Sequence, residues 1–188
     1  MTGFEYALAL LSVLIGLTLS EIATDFHRLV RNAGTVRWDG RVLLSAALVT
    51  VVVVRMWFTY WRIKDVGLVL VFPFYLSLFA GLMVLYMLGA SCLPEDPPAD
   101  CDLGAFYERN RRSLWTLFAV FQADYFAHGL YFAAGAPLWA RLPVLLTLGL
   151  YVLLAAVRTK WLHYALPAAL LAWELYYNWD RVLGAPAG

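Results

Sequence analysis

Six apolar stretches, near residues 4–26, 42–61, 67–90, 113–134, 138–157 and 162–180, take up most of this 188-residue chain. Each is close to the ~20 residues a helix needs to cross a ~30 Å hydrocarbon core. Leucine, alanine and valine dominate them, and neither internal turn residues nor period-2 alternation favours the strands of a barrel. Pro73, Pro143 and Pro167 fall within about a turn or two of a span's start, where a missing N–H is better tolerated. The chain is 63% hydrophobic and 14% charged. Soluble domains run at about 45–50% and roughly 25%. A chain this short cannot hide so much apolar surface from water, so lipid is the expected solvent. The expected fold is an all-α integral membrane protein: one multi-pass domain over residues 1–188, with about six transmembrane helices in a bundle.

The first span lacks a basic leader and runs directly into Glu21, Asp25, Arg28 and Arg31, unlike a cleaved signal peptide. No soluble module is expected on either side of the spans. They share composition but no repeating pattern, so an inverted-repeat transporter is not supported. A net charge of +1 gives no basic face for nucleic acid. The expected partners are the lipid bilayer and a second copy of the chain in a homo-oligomer.

Orientation follows the arginines and lysines of the short loops. With the N-terminus outside, the inner side holds Arg28, Arg31, Arg37, Arg41, Arg109, Arg111, Arg112, Arg158 and Lys160, and the outer side only Arg62, Lys64, Arg141 and Arg181. Both termini are therefore expected outside. Cys92 and Cys101 bracket an acidic, proline-rich loop that a disulfide would close naturally in an oxidising compartment. In this orientation the loop is cytoplasmic and the thiols stay reduced; a disulfide there would invert the topology.

Charged residues inside the spans mark the candidate site, since a lone charge in a bilayer core costs at least a few kcal/mol. Successive spans run in opposite directions. Glu5 at the start of the first span therefore lies level with Arg55 in the second, Asp124 and His128 in the fourth, and Glu174 and Asn178 in the sixth. Asp124 and His128 share a helix face, as do Glu174 and Asn178. Four readings of this layer stand side by side. Asp124, His128 and Glu174 are suitable metal ligands. The same groups could relay protons or bind a cation. Arg55 could hold an anionic headgroup, with the acids as resting partners. The plainest reading is an ion-pair network that only stabilises the bundle.

A second cluster lies at the opposite level. Glu21, Asp25 and Arg28 share one face of the first span, and Arg112 is the expected partner of Glu21. Asp25 and Arg28 are expected near the interface, where long side chains reach water, and a basic ring there suits anionic lipid headgroups. Another stripe of the first span, including Ser12 and Gly16, carries small residues and is expected to pack on a helix of this chain or a neighbour. Aromatics such as Trp57, Trp61, Tyr125, Trp173 and Trp179 crowd the level of the first cluster. An interfacial belt and an aromatic-walled pocket for a lipid, quinone or other amphiphile both fit them.

The opening Phe4-Glu5-Tyr6, the run Ser12-Val13-Leu14-Ile15-Gly16-Leu17 and the later Phe106-Tyr107-Glu108-Arg109-Asn110-Arg111-Arg112 resemble a group of small bacterial multi-span membrane proteins of unassigned function. The resemblance implies a bacterial inner-membrane protein of about six helices, and carries over no activity and no catalytic residue. No G-x-S-x-G, H-E-x-x-H, P-loop or dinucleotide fingerprint is present, so no catalytic residue and no cofactor is assigned. The working expectation is a channel or transporter for a proton, ion or small solute. The alternatives are a metal- or amphiphile-binding membrane enzyme and a structural or accessory subunit.

Overall fold

A computed structural model describes residues 3–62, 71–98, 100–132, 135 and 137–179, with side chains from residue 8 onward except at 62 and 138. Lys64 and Arg181, and the side chains of Glu5 and Arg62, lie outside this description. The regular structure among the described residues is helical: α1 (Gly3–Arg31), α2 (Gly40–Arg62), α3 (Phe72–Cys92), α4 (Leu103–Phe132), α5 (Leu142–Ala156) and α6 (Leu162–Asn178). A 3-10 turn, Leu138–Arg141, leads into α5.

Four stretches are long and apolar enough to cross a membrane: Leu8–Arg31, Gly40–Trp61, Phe72–Cys92 and Trp139–Ala156. This is an all-helical, membrane-associated protein. α4 and α6 fall outside that set for different reasons. α4 is long, at 30 residues, but Glu108, Arg109, Arg111 and Arg112 crowd its opening turns, and Gln122, Asp124 and His128 dilute the apolar run that follows. α6 is apolar but only 17 residues long.

Hydropathy marks where a helix is apolar, not where its hydrogen-bond ladder stops. α1 therefore continues to Arg31 rather than ending near 26, and α4 starts at Leu103 rather than near 113. Pro73 and Pro143 occupy the first positions of α3 and α5, as expected. Pro167 lies in the second turn of α6, also close to the helix start, and is buried.

α2 is the central helix, packing on α1, α3, α4 and α6, while α5 packs on α4 and more lightly on α6. With neighbours on several sides, α2 buries Leu48, Val49, Val52, Val53 and Met56 around more than one face. α1 has only α2 and α3 as described neighbours. It buries a single stripe, Leu8, Leu11, Ile15, Thr18, Ile22, Asp25 and Leu29, spaced alternately three and four apart. Lipid offers no hydrophobic drive between helices, so close van der Waals fit matters most. Gly89 of α3 supplies it: a Cβ there would press into Thr18 of α1. Of the Ser12–Gly16 stripe, Ser12 is half-buried, while Gly16 has nothing among the described residues within 4 Å of where its side chain would sit. Between α4 and α5, Trp115, Phe118 and Tyr151 stack with ring centroids 4.8–6.1 Å apart.

The connections 32–39, 93–102 and 157–161 gather at one end, the polar end. Arg37 N–H donates to Cys101 O at 2.9 Å and Leu103 N–H to Arg37 O at 3.1 Å, joining the first two. Arg28 Nη1 donates to Glu95 O at 2.6 Å, and Tyr164 Oη to Asp39 Oδ1 at 3.3 Å. Cys92 and Cys101 are free and buried, and backbone hydrogen bonds to Arg37 tie the end of the loop between α3 and α4.

Candidate functional site

The expected layer of charges exists as two pairs on different helix contacts. The first joins α2 to α6. Arg55 Nη1 lies 3.3 Å from Glu174 Oε1, and the two side chains are only 9% and 8% exposed. A guanidinium cannot shed its proton, so its charge must be met wherever the helix carries it. One face of that charge lies over the Tyr125 ring of α4, 4.9 Å from its centroid. Glu174 Oε2 accepts from Asn178 Nδ2 at 3.0 Å, and the same amide donates to Glu174 O at 2.6 Å. Three polar atoms remain without a hydrogen-bond partner among the described residues: Arg55 Nε, Arg55 Nη2 and Asn178 Oδ1.

These residues open onto a cleft of ≈ 340 Å³ between α2 and α6. Thr50, Val51, Val54 and Phe58 line one side with Arg55; Leu175 and Trp179 line the other with Glu174 and Asn178. Apolar walls around one cation, one carboxylate and one amide are the composition of a site for an amphiphile.

The second pair joins α4 to α3. His128 Nδ1 lies 3.3 Å from Asp124 Oδ2 and 2.9 Å from Asp124 O, and its Nε2 is hydrogen bonded to Ser77 Oγ at 2.9 Å. The Phe74 ring meets the imidazole edge-on at 5.2 Å. Gly81 makes this seat possible, because any Cβ there would overlap the Asp124 carboxylate. Ser77 and Gly81 are four apart on α3 and oppose Asp124 and His128, four apart on α4. Sequence reasoning missed both, although this small-xxx-small spacing was available to find them.

The metal set Asp124, His128 and Glu174 is not brought together. Glu174 is turned to Arg55 and Asn178, while Asp124 and His128 face α3. Among the described residues no three His, Cys, Asp or Glu side chains are placed to hold an ion.

The second cluster also changes. Asp25, expected to reach water, is only 1% exposed, because it occupies the buried stripe of α1. Arg28 lies 3.1 Å from its Oδ1 and 3.7 Å from Asp96, while Asp25 Oδ2 has no partner among the described residues. Arg112 does not meet Glu21: α1 packs on α2 and α3, whereas Arg112 faces a groove between α4 and α5.

The polar end holds a network that sequence reasoning did not assemble. Arg41 grips Asp39 through Nε and Nη2, at 3.1 and 2.8 Å, and reaches Glu108 through Nη1. The Arg41 fork holds the Asp39 carboxyl below its ordinary value, against the opposing effect of partial burial. Behind it, Trp115 Nε1 donates to Tyr107 Oη at 2.9 Å, and Tyr107 Oη is 2.8 Å from His163 Nδ1. Indole can only donate, so Tyr107 passes its proton toward Nδ1 and Nε2–H donates to Val157 O at 3.0 Å. Every member of that buried chain is satisfied, which marks it as structural.

No protein-family model, curated protein or solved structure matches the chain.

Proposed function

We propose that this chain is a multi-pass membrane protein that binds an amphiphile with an anionic head in the cleft between α2 and α6, with Arg55 holding the head. The observation that carries this reading is the unpartnered Nε–Nη2 edge of a buried guanidinium. That edge fits a carboxylate or phosphate with two parallel hydrogen bonds once the cleft side chains that shield both nitrogens part. The chain uses the same edge of Arg41 on Asp39. Glu174 meets Arg55 through Nη1, so a ligand head need not displace it. Asn178 Oδ1 would accept from a hydroxyl on the head, and the apolar cleft walls would take the tail.

The same proposal includes six crossings of a bacterial inner membrane with both termini outside, supported by the arginines of the polar end. It also includes a homo-oligomer, supported by the open Gly16 face of α1.

Trp179 lines the cleft, so binding is readable by fluorescence. A brominated fatty acid is expected to quench the purified protein saturably, and its methyl ester to do so at least about tenfold less well. Arg55→Gln should remove the preference for the acid, and Trp179→Phe should remove most of the quenched signal. Equal binding of acid and ester, unchanged by Arg55→Gln, would sink the reading.

A second reading, proton-coupled transport, is favoured by one observation. Tyr125, whose ring carries Arg55, is the chain neighbour of Asp124, so the two pairs meet across one side chain. In liposomes Asp124→Asn should then abolish proton flux while Arg55-dependent binding of the acid persists.

A further inference from the structure

The molecule carries a second, independent cationic site at its polar end. Arg112 of α4 and Arg158, two residues past α5, line an open groove of ≈ 480 Å³ with Arg111, Thr116, Val152 and Ala156. Arg111 is the fixed wall: its Nη1 donates to Val157 O at 2.7 Å, and its Nε lies 3.6 Å from Glu108 Oε2. Charge in this region does not balance. Asp39 and Glu108 answer Arg41 and Arg111, which leaves Arg112 and Arg158 with no acidic partner among the described residues. Both are exposed, so they are free to close on an anion.

The surroundings say what kind of anion. The groove abuts the outer face of α5, where its lining residue Val152 is 53% exposed and Leu145, two turns earlier on the same face, 41%. Two cations at the end of a bare apolar helix face match a molecule with an anionic head and long tails. We propose that this groove binds the phosphodiester head of an anionic phospholipid, with its acyl chains laid along α5. The diester oxygens would accept from Arg112 and Arg158. A zwitterionic lipid would bring its own ammonium into the same field and be disfavoured.

Native mass spectrometry of the purified full chain, titrated with phosphatidylglycerol and with phosphatidylcholine of the same acyl composition, tests this. Phosphatidylglycerol should bind about tenfold more tightly. Arg112→Gln with Arg158→Gln should bring its affinity down to the phosphatidylcholine level. Thr116→Glu, which leaves both arginines in place but sets an acid in the groove, should do the same. Arg37→Gln with Arg109→Gln removes as much charge outside the groove and should change nothing. Retention of the preference in both groove variants would overturn the proposal. So would an equal loss in the Arg37/Arg109 control, which would mean diffuse attraction. Displacement of phosphatidylglycerol by millimolar inorganic phosphate would also overturn it, since that marks a site for the free anion.

Discussion

At the scale of single residues, the buried pair of Arg55 and Glu174 is asymmetric, and the asymmetry can be measured. Glu174→Gln leaves a guanidinium that cannot be neutralised, whereas Arg55→Met leaves a carboxyl that can take up a proton and keep its Asn178 contacts. Glu174→Gln should therefore cost about 3 kcal/mol or more of folding stability. Arg55→Met should cost only about 1–2 kcal/mol. Arg55→Met combined with Glu174→Leu should recover much of the loss, since an apolar pair removes both desolvation costs. Unfolding in mixed micelles gives all three values, and the reverse order for the single variants would mean that Arg55 has a partner other than Glu174. Asp39 makes the corresponding case at the polar end. Its carboxyl is held below the ordinary 3.8 chiefly by the Arg41 fork. A carboxyl lowered on folding contributes stability above its unfolded pKa and loses it as pH falls through the folded one. The melting temperature should thus drop as pH is lowered below about 4. Asp39→Asn should be the less stable protein at pH 7 and show a flatter acid limb; an unchanged limb would mean that the Arg41 fork is broken in solution.

At the scale of helices, two glycines on different helices, with opposite surroundings, illustrate what close packing requires. Gly89 touches Thr18 across the contact of α1 with α3, while a side chain at Gly16 of α1 would meet nothing among the described residues. Gly89→Leu should force the two helices apart and lower stability by about 2 kcal/mol. Gly16→Leu should leave the melting temperature of the monomer unchanged. Comparable losses in both would mean that the Gly16 face is covered within the chain. The same contrast explains what the residues disclosed in advance. The number of helices was readable because apolar runs stand apart from polar connections, and the shared level of Arg55 and Glu174 because antiparallel helices fix depth. Rotation about each helix axis was not readable. Arg55 stood level with both Asp124 and Glu174, and only the packing of α2 on α6 decides for Glu174. Asp25 looked free to reach water from its place near the end of the first span. It falls on the repeat set by Leu11, Ile15, Thr18 and Ile22, which buries it. The seat of Asp124 depends on Gly81 and Ser77, residues whose importance lies in what they leave room for and accept rather than in any charge of their own.

At the scale of the whole molecule, the open question of architecture is whether α4 crosses the membrane, since the polar residues Gln122, Asp124 and His128 leave even the part beyond its charged start less apolar than the four spans. Its acids and arginines, Glu108 to Arg112, are confined to the first three turns, where they join the polar end. From residue 113 to Phe132 its only formally charged groups are Asp124 and, when protonated, His128, and these two pair with each other. Those last residues alone make a rod of about 30 Å, the thickness of a hydrocarbon core. A crossing α4 puts Arg109 and Gly135 on opposite sides of the membrane, whereas an α4 lying along the surface puts them on the same side. Both positions are exposed, so each can carry a reporter cysteine in a chain with Cys92 and Cys101 replaced by alanine. In intact cells an impermeant maleimide should label Gly135→Cys, and Arg109→Cys only once the membrane is opened. The reverse pattern would keep the crossing but invert the orientation argued from the arginines. Labelling of both from one side would remove the crossing altogether. It would then leave the Asp124–His128 pair and the Tyr125 ring under Arg55 at the membrane surface, and with them the case for a lipid-embedded site.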